Sequence, residues 1–207
     1  KKSHGSELFA YNTYLCSIPL DFSSVPDHWH DEMEIIYVKK GCMTVNIDFT
    51  AFCACAGSIL FLIPGQIHSM EQYPSSSAEY ETILFKPEIL ISQTADICSD
   101  YFHALLNGAI EIPAHLTPDM PYYGEIASCL DRADEICRTC PNAYQLFIKG
   151  QLHLLFFALF SKCSDLKSRP KNKKSLIKIK SVIKFIESNY MQKITIEDMA
   201  ISFYEVF

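Results

Sequence analysis

No stretch of this chain is long and apolar enough to span a membrane; the most apolar run, Leu152 to Phe160, is short and contains His153. No positively charged, then apolar, then small-residue leader precedes the first patterned segment, so no secretory leader and no membrane partner are expected. Basic residues are scarce over most of the length. Residues 1–161 carry 8 Lys and Arg against 19 Asp and Glu, a balance of −11, whereas residues 162–207 carry 10 against 5, a balance of +5. The acidic part is a poor nucleic-acid binder and the basic tail a plausible one. A second C-x-x-C is lacking too. Cys137 and Cys140 form one such pair, but zinc or redox chemistry would need partners for it, and it reads as a helix-end coincidence. The nine cysteines, odd in number and scattered through expected core elements, read as reduced thiols in a cytoplasmic protein. With 49% hydrophobic residues a mainly disordered chain is excluded, and 207 residues suffice for one good core or two small ones.

What is present is organised around residues 28–68. His28-Trp29-His30 is followed by Glu34 and Gly41, and later by Gly57, Pro64-Gly65 and His68. In an extended strand, alternate side chains share a face, so His28, His30 and Glu34 can point the same way, with a second strand supplying His68. Apolar and β-branched runs punctuated by turn residues suggest strands at about 33–40, 42–48, 51–55, 58–63, 67–73 and 79–86. The first and second of these are divided at Lys39-Lys40-Gly41. An earlier strand lies within 7–20, ended by Pro19, Ser23, Ser24 and Pro26. Short strands separated by turns point to a small antiparallel barrel.

Beyond Lys86-Pro87 the period becomes helical. Ile97, Tyr101, Phe102, Leu105 and Leu106 mark a short helix ended by Asn107-Gly108, and a strand-like Ala109–Ile112 follows. Longer helices are expected at 121–138 and 142–163. The second is apolar nearly all round and must be covered on more than one side. One cover is the barrel or the first helix, and the other is a second copy of the chain, with Leu152, Leu155, Phe156 and Leu159 at the interface; the alternative is complete burial within one subunit. Residues 165–175 form a basic linker, Leu176, Ile179, Val182, Ile183 and Ile186 recur at helical spacing, and Thr195 stands three residues before Asp198 as a helix N-cap.

The pattern His28-x-His30, Glu34, Gly41 and then Gly57, Pro64, His68 resembles the two motifs of the cupin barrel. The wording of 28–38 and 57–69 is more similar still to the sensing domain of AraC/XylS-type transcriptional regulators, and Ile183–Ala200 resembles the opening of that family's helix-turn-helix domain. Phe22, where the cupin pattern has Gly, and Ser58, commonly Asp in such regulators, depart from it. The resemblance implies a mainly β plus α chain. A cupin-like (double-stranded β-helix) barrel over 1–113 would precede a helical dimerisation unit over 114–164, the linker, and over 176–207 a truncated start of an all-α DNA-binding domain. It implies a ligand-responsive regulator that acts on DNA as a homodimer, its barrel sensing a small polar, sugar-like effector.

For the cluster itself three readings stay open. His28, His30, Glu34 and His68 form a complete donor set for a divalent metal (Zn, Ni, Fe or Mn), although none is required. The same groups with Trp29 and Gln66 could instead bind the effector, or the histidines could simply pair with buried backbone groups. Lys173, Lys174 and Lys178 are expected to contact DNA phosphates. The competing function is a metal-dependent cupin enzyme, an oxygenase or sugar isomerase. Against it stand the long apolar helices, the basic linker and the Thr195–Ala200 segment. A third reading is a module that dimerises and sequesters ligand.

Overall fold

The computed structural model describes residues 9–162 except 93 and 95, together with scattered positions from 182 to 196. Lys173, Lys174 and Lys178, and nearly all of the basic linker and the helix-turn-helix start, lie outside the described residues. By its backbone contacts the chain divides into units 1–168 and 169–207.

Eight strands and three helices make up the described part. They are β1 (Tyr11–Ile18), β2 (Ser24–His28), β3 (Met33–Ile47), β4 (Thr50–Cys55), β5 (Ile59–Leu62), β6 (His68–Gln72), β7 (Ala78–Phe85), α1 (Ile97–Leu106), β8 (His115–Leu116), α2 (Tyr123–Thr139) and α3 (Tyr144–Lys162). The barrel is organised around β3. Its first half pairs antiparallel with β5 and β7, extending the order to β1-β7-β3-β5-β8, while its second half pairs with β4 and β6, and β6 in turn with β2.

The division expected at Lys39-Lys40-Gly41 is absent, because β3 runs through it on a bulge that shifts the register with β7. Gly41 has φ +68, and a Cβ there would sit 1.7 Å from the Ser77 carbonyl oxygen. Only glycine fits so close an approach, which is why a residue that reads as a turn marks a bend within one strand. Pro19 to Ser23 do break the chain after β1, but β2 already begins at Ser24 and runs through Pro26, and the strand-like 109–112 is irregular while β8 lies a few residues later.

Two cores flank the first half of β3. Ile36 and Val38 point inward with Met43, Val45, Leu60, Leu62, Met70 and Tyr80. Met33 and Ile35 point outward with Phe61, Ile83 and Phe85 against the helices. Buried on both faces, Met33–Ile36 reads as a continuous apolar run interrupted by Glu34.

The expected dimer contacts are corrected here. Leu152, Leu155, Phe156 and Leu159 are each no more than 1% exposed and belong to the core shared with the sheet. They cannot meet a second copy without opening that core. The exposed large apolar side chains of α3 are Leu146, Leu154 and Phe157. The cysteines need a correction as well. Cys42 and Cys55 are opposite partners in the β3–β4 register, with Cα atoms 4.0 Å apart, and are joined in a disulfide. Strand pairing places them face to face, which scattered sequence positions do not reveal. Cys140, by contrast, is the left-handed C-cap of α2, and its thiol meets the Cys137 carbonyl, as a helix end would have it. No helix among the described residues is long and apolar enough to cross a membrane.

Candidate functional site

The cluster forms where β2, the start of β3 and the start of β6 meet. His28 ends β2, His30 lies in the connection to β3, Glu34 is the second residue of β3, and His68 opens β6 opposite His28. The four therefore come together through a turn and a cross-strand pair rather than through one extended strand. Two turns hold His68 in place. Asp48, in the β3–β4 turn, accepts from Gln66 Nε2 at 2.7 Å and from the Ile67 amide at 3.2 Å, while Gln66 Oε1 accepts from the Ile63 amide at 2.8 Å. Gln66, expected to donate to a ligand, thus has its amide committed to the turn that presents His68. Asp48 has φ +46 and carried no sequence signal that it would serve this turn.

Each histidine fixes its ring through Nδ1. His28 donates to the Pro26 carbonyl at 2.9 Å, His30 to that of Glu32 at 3.0 Å, and His68 to that of Gln66 at 3.0 Å. With Nδ1–H so committed, Nε2 is left to face the cluster. The same division of labour orients histidines around metal ions. His30 Nε2 lies 2.9 Å from Glu34 Oε2, and His68 Nε2 approaches the same oxygen at 3.1 Å. The second contact is off the line of a good hydrogen bond, so the buried His68 Nε2 lacks a well-aligned partner.

A neutral imidazole has one N–H, and His30 uses it on a carbonyl. Its Nε2 would then turn a lone pair toward a carboxylate unless a proton or a metal cation intervenes. The titration behaviour follows from this. Burial opposes a charged His30, but the Glu34 hydrogen bond and charge outweigh it and hold the pKa above the ordinary value. Burial alone would raise Glu34, which is 2% exposed; the His30 hydrogen bond, the close approach of His68 Nε2 and the charges of both rings bring it down to about 2. His28 is lowered by burial and then by the neighbouring His68.

The four donor atoms lie within 4.8 Å of one another. Bonds of roughly 2.0–2.2 Å around one ion would put donors about 3–4 Å apart, so the cluster could close on a divalent cation with movements of about 1 Å or less. One carboxylate, imidazoles turned inward through Nε2, and an orphaned buried Nε2 fit such an ion.

Trp29 is half-buried beside the cluster. Tyr37 is on the opposite face of β3, where Tyr123 Oη donates to its hydroxyl and Lys39 Nζ lies 3.4 Å from its ring centroid. On β7, Tyr80 belongs to the inner core, and burial pushes its phenol pKa up, with the charges of Cys16 and then Glu34 adding to the effect. Tyr80 is a neighbour of the site that sequence reasoning could not place. Ser58, at the position commonly Asp, accepts from the Cys55 amide at 3.1 Å and lies 2.9 Å from His115 Nε2.

A separate cleft of about 580 Å³ lies away from the cluster, between the sheet and α2, lined by Leu15, Lys39, Glu81, Asp131, Asp134 and Arg138 among others. Ion pairs of Lys39 with Glu81 (3.4 Å) and Asp131 (3.2 Å), and of Arg138 with Asp134, lie among its lining residues.

Residues 20–155 match the family model described as an AraC-like ligand binding domain. A curated relative from Bacillus subtilis (strain 168), an uncharacterized HTH-type transcriptional regulator YdeC, is 23% identical over 176 residues, covering 85% of this chain and 60% of the relative. The chain thus spans about three-fifths of that relative's length. Among solved structures, apo ToxT K231A from Vibrio cholerae is similar at 11% identity and TM-score 0.46, covering 98% of this chain and 72% of that one. A cupin protein from Bacteroides fragilis is similar at 22% identity and TM-score 0.36, covering 41% and 72%.

Proposed function

The chain belongs to the AraC-like ligand-binding-domain family, and on that premise we propose that it is the sensing part of a ligand-responsive, DNA-binding transcription regulator working in the cytoplasm. The observation that carries the reading is the cluster where β2, β3 and β6 meet, a buried Glu34 carboxylate met by histidine nitrogens whose rings are locked from behind. A preformed polar group in an otherwise apolar barrel is what orients a small polar ligand. In this reading His28 and His30, both only part-buried, meet the effector, and Trp29 offers a flat apolar surface beside them. A sugar-like effector suits this pairing of polar groups with an aromatic face.

To regulate, the effector must favour one presentation of the helix-turn-helix domain over another; tight binding alone shifts nothing. Two copies would present two such domains, and the exposed Leu146, Leu154 and Phe157 of α3 are the face proposed for pairing. Lys173, Lys174 and Lys178 would supply phosphate contacts, which give affinity without sequence choice.

A divalent ion of the Zn, Ni, Fe or Mn class, held by His28, His30, Glu34 and His68, is proposed as a second component of the same site, favoured by the orphaned His68 Nε2. Such an ion would supply Lewis-acid attraction for an effector oxygen. The chain's residues would still set its ring directions and exclude water around Glu34. The regulator reading is preferred to an enzyme because the matched family is a ligand-binding domain.

Metal analysis with a thermal-shift screen against sugars, small acids and divalent metals tests both parts. A ligand at a hundredfold its dissociation constant stabilises by about 2.7 kcal/mol, which is readily seen. Stabilisation by a sugar or acid, lost in His30→Ala, supports the sensor. Stoichiometric redox-active metal with turnover and no ligand response would overturn it.

A further inference from the structure

The outer face of the β3–β4 hairpin gathers three of the nine cysteines, and the proposed sensor does not use them. Cys42 and Cys55 are opposite each other across the two strands. Cys53 is two residues from Cys55, so the pleat puts both on the same face, and their Sγ atoms are 3.9 Å apart. Cys53 is an exposed free thiol, while Cys42 and Cys55 are half-buried. The alternate residues Met43, Val45 and Ala54 point into the core, so the three sulfurs share one patch anchored on a rigid, fully paired hairpin.

We propose that this patch is a thiolate site for a thiophilic metal or metalloid ion, opened by reduction of the Cys42–Cys55 disulfide. The geometry supports it. Thiolates bound at about 2.3 Å to one ion lie roughly 3.8 Å apart in a tetrahedral site and roughly 4.0 Å apart in a trigonal one, and the Cys53–Cys55 separation falls between these. Once the disulfide is open, Cys42 needs only a side-chain rotation to stand beside Cys55, because strand pairing already fixes the two Cα atoms 4.0 Å apart. Exposure at Cys53 leaves a way in and room for a water or a fourth ligand. The patch differs in chemistry and position from the histidine cluster, which offers nitrogen and carboxylate donors where β2, β3 and β6 meet.

The steps balance. Two molecules of a low-molecular-weight thiol reduce the Cys42–Cys55 bond, giving two protein thiols and one low-molecular-weight disulfide. A divalent ion then displaces three protons from Cys42, Cys53 and Cys55 and forms three metal–sulfur bonds. The oxidised hairpin keeps only one of the three sulfurs as a thiol, so uptake is confined to the reduced state. Disulfides in reducing compartments are commonly transient and redox-responsive, as this arrangement would require.

The test is titration of the full chain with cadmium, before and after treatment with dithiothreitol and its removal, followed by the ultraviolet thiolate-to-cadmium charge-transfer band. The histidine cluster cannot produce that band. The expected result is a band that saturates at one thiolate-bound cadmium per reduced chain, any cadmium at the histidine cluster being silent in it, and no such band for the oxidised chain. Cys53→Ser should weaken binding at least about tenfold, and Cys140→Ser, which breaks the unrelated Cys137/Cys140 pair, should leave it unchanged. Cys53 is exposed, so its variant is expected to fold; far-ultraviolet circular dichroism checks this. A parallel arm with arsenite distinguishes a trigonal from a tetrahedral preference. Equal cadmium binding by Cys53→Ser, loss of the band in Cys140→Ser, or the same band without reduction would each overturn the proposal.

Discussion

Replacing Glu34 by Gln keeps the shape of the side chain and removes the only carboxylate among the four clustered donors. Glu34 is 2% exposed, and its pKa falls from 4.5 to about 2 on folding. At roughly 1.4 kcal/mol per pH unit, that difference of 2.5 corresponds to about 3 kcal/mol of stability. Because the folded pKa is depressed, this contribution is present above pH 4.5 and is lost as pH falls through about 2. His30 gives the opposite edge. Its folded pKa is raised, so its share of the same interaction is complete below 6.5 and is lost as pH rises through the raised value. The two edges describe one interaction and are not added. Wild-type protein treated with a chelator should therefore be most stable between about pH 4.5 and 6.5 as far as this pair is concerned, and should lose about 1.5–3 kcal/mol toward alkaline pH, the range for a charge-assisted hydrogen bond. Urea unfolding of wild type and Glu34→Gln at about pH 5.5 and about pH 8.5 measures it. The variant should show a much smaller difference between the two pH values. The same pH difference in both proteins, or none in wild type, would refute the charged His30–Glu34 pair.

Other perturbations follow from the fold. The Cys42–Cys55 bond closes a loop with a sequence separation of 13, so reducing it should cost about 3 kcal/mol and lower the melting temperature by about 6–12 °C; calorimetry with and without reductant reads this, and an unchanged melting temperature would count against the bond. Gly41→Ala meets both the positive φ and the Ser77 oxygen, so a loss of at least about 2 kcal/mol is expected in urea unfolding, and a neutral result would contradict the bulge. Leu155→Ala should destabilise by about 2–5 kcal/mol as a core truncation, whereas Phe157→Glu should change stability little. If the exposed α3 face pairs as proposed, light scattering should report dimer for wild type and monomer for Phe157→Glu; the same oligomeric state for both would refute that face.

Hydrophobic pattern, turn residues and motif spacing revealed the barrel, the three helices and the four clustered donors, because period-two and period-3.6 burial are written locally. The helix limits came within a few residues. Parity failed where the chain bends. His28 and His30 read as residues of one strand with Glu34, yet a connection separates them and cross-strand pairing with His68 brings the set together. Gln66 read as a ligand donor because nothing local shows that Asp48, 18 positions earlier, takes its amide.

By itself, then, the sequence determined which residues could carry the chemistry and which segments fold into strands and helices. Tertiary structure decided everything that depends on what lies across from a residue. The apolar circumference of α3 shows that the helix must be covered, but only its packing shows that Leu152, Leu155, Phe156 and Leu159 are covered by their own subunit. Cysteine spacing is silent about pairing, which the β3–β4 register sets by placing Cys42 opposite Cys55. Gly41 announces a special backbone, and whether that becomes a turn or a bulge is settled by the Ser77 carbonyl pressed against it. Contacts between residues distant in sequence arise from register and packing, and these are fixed only when the whole core assembles.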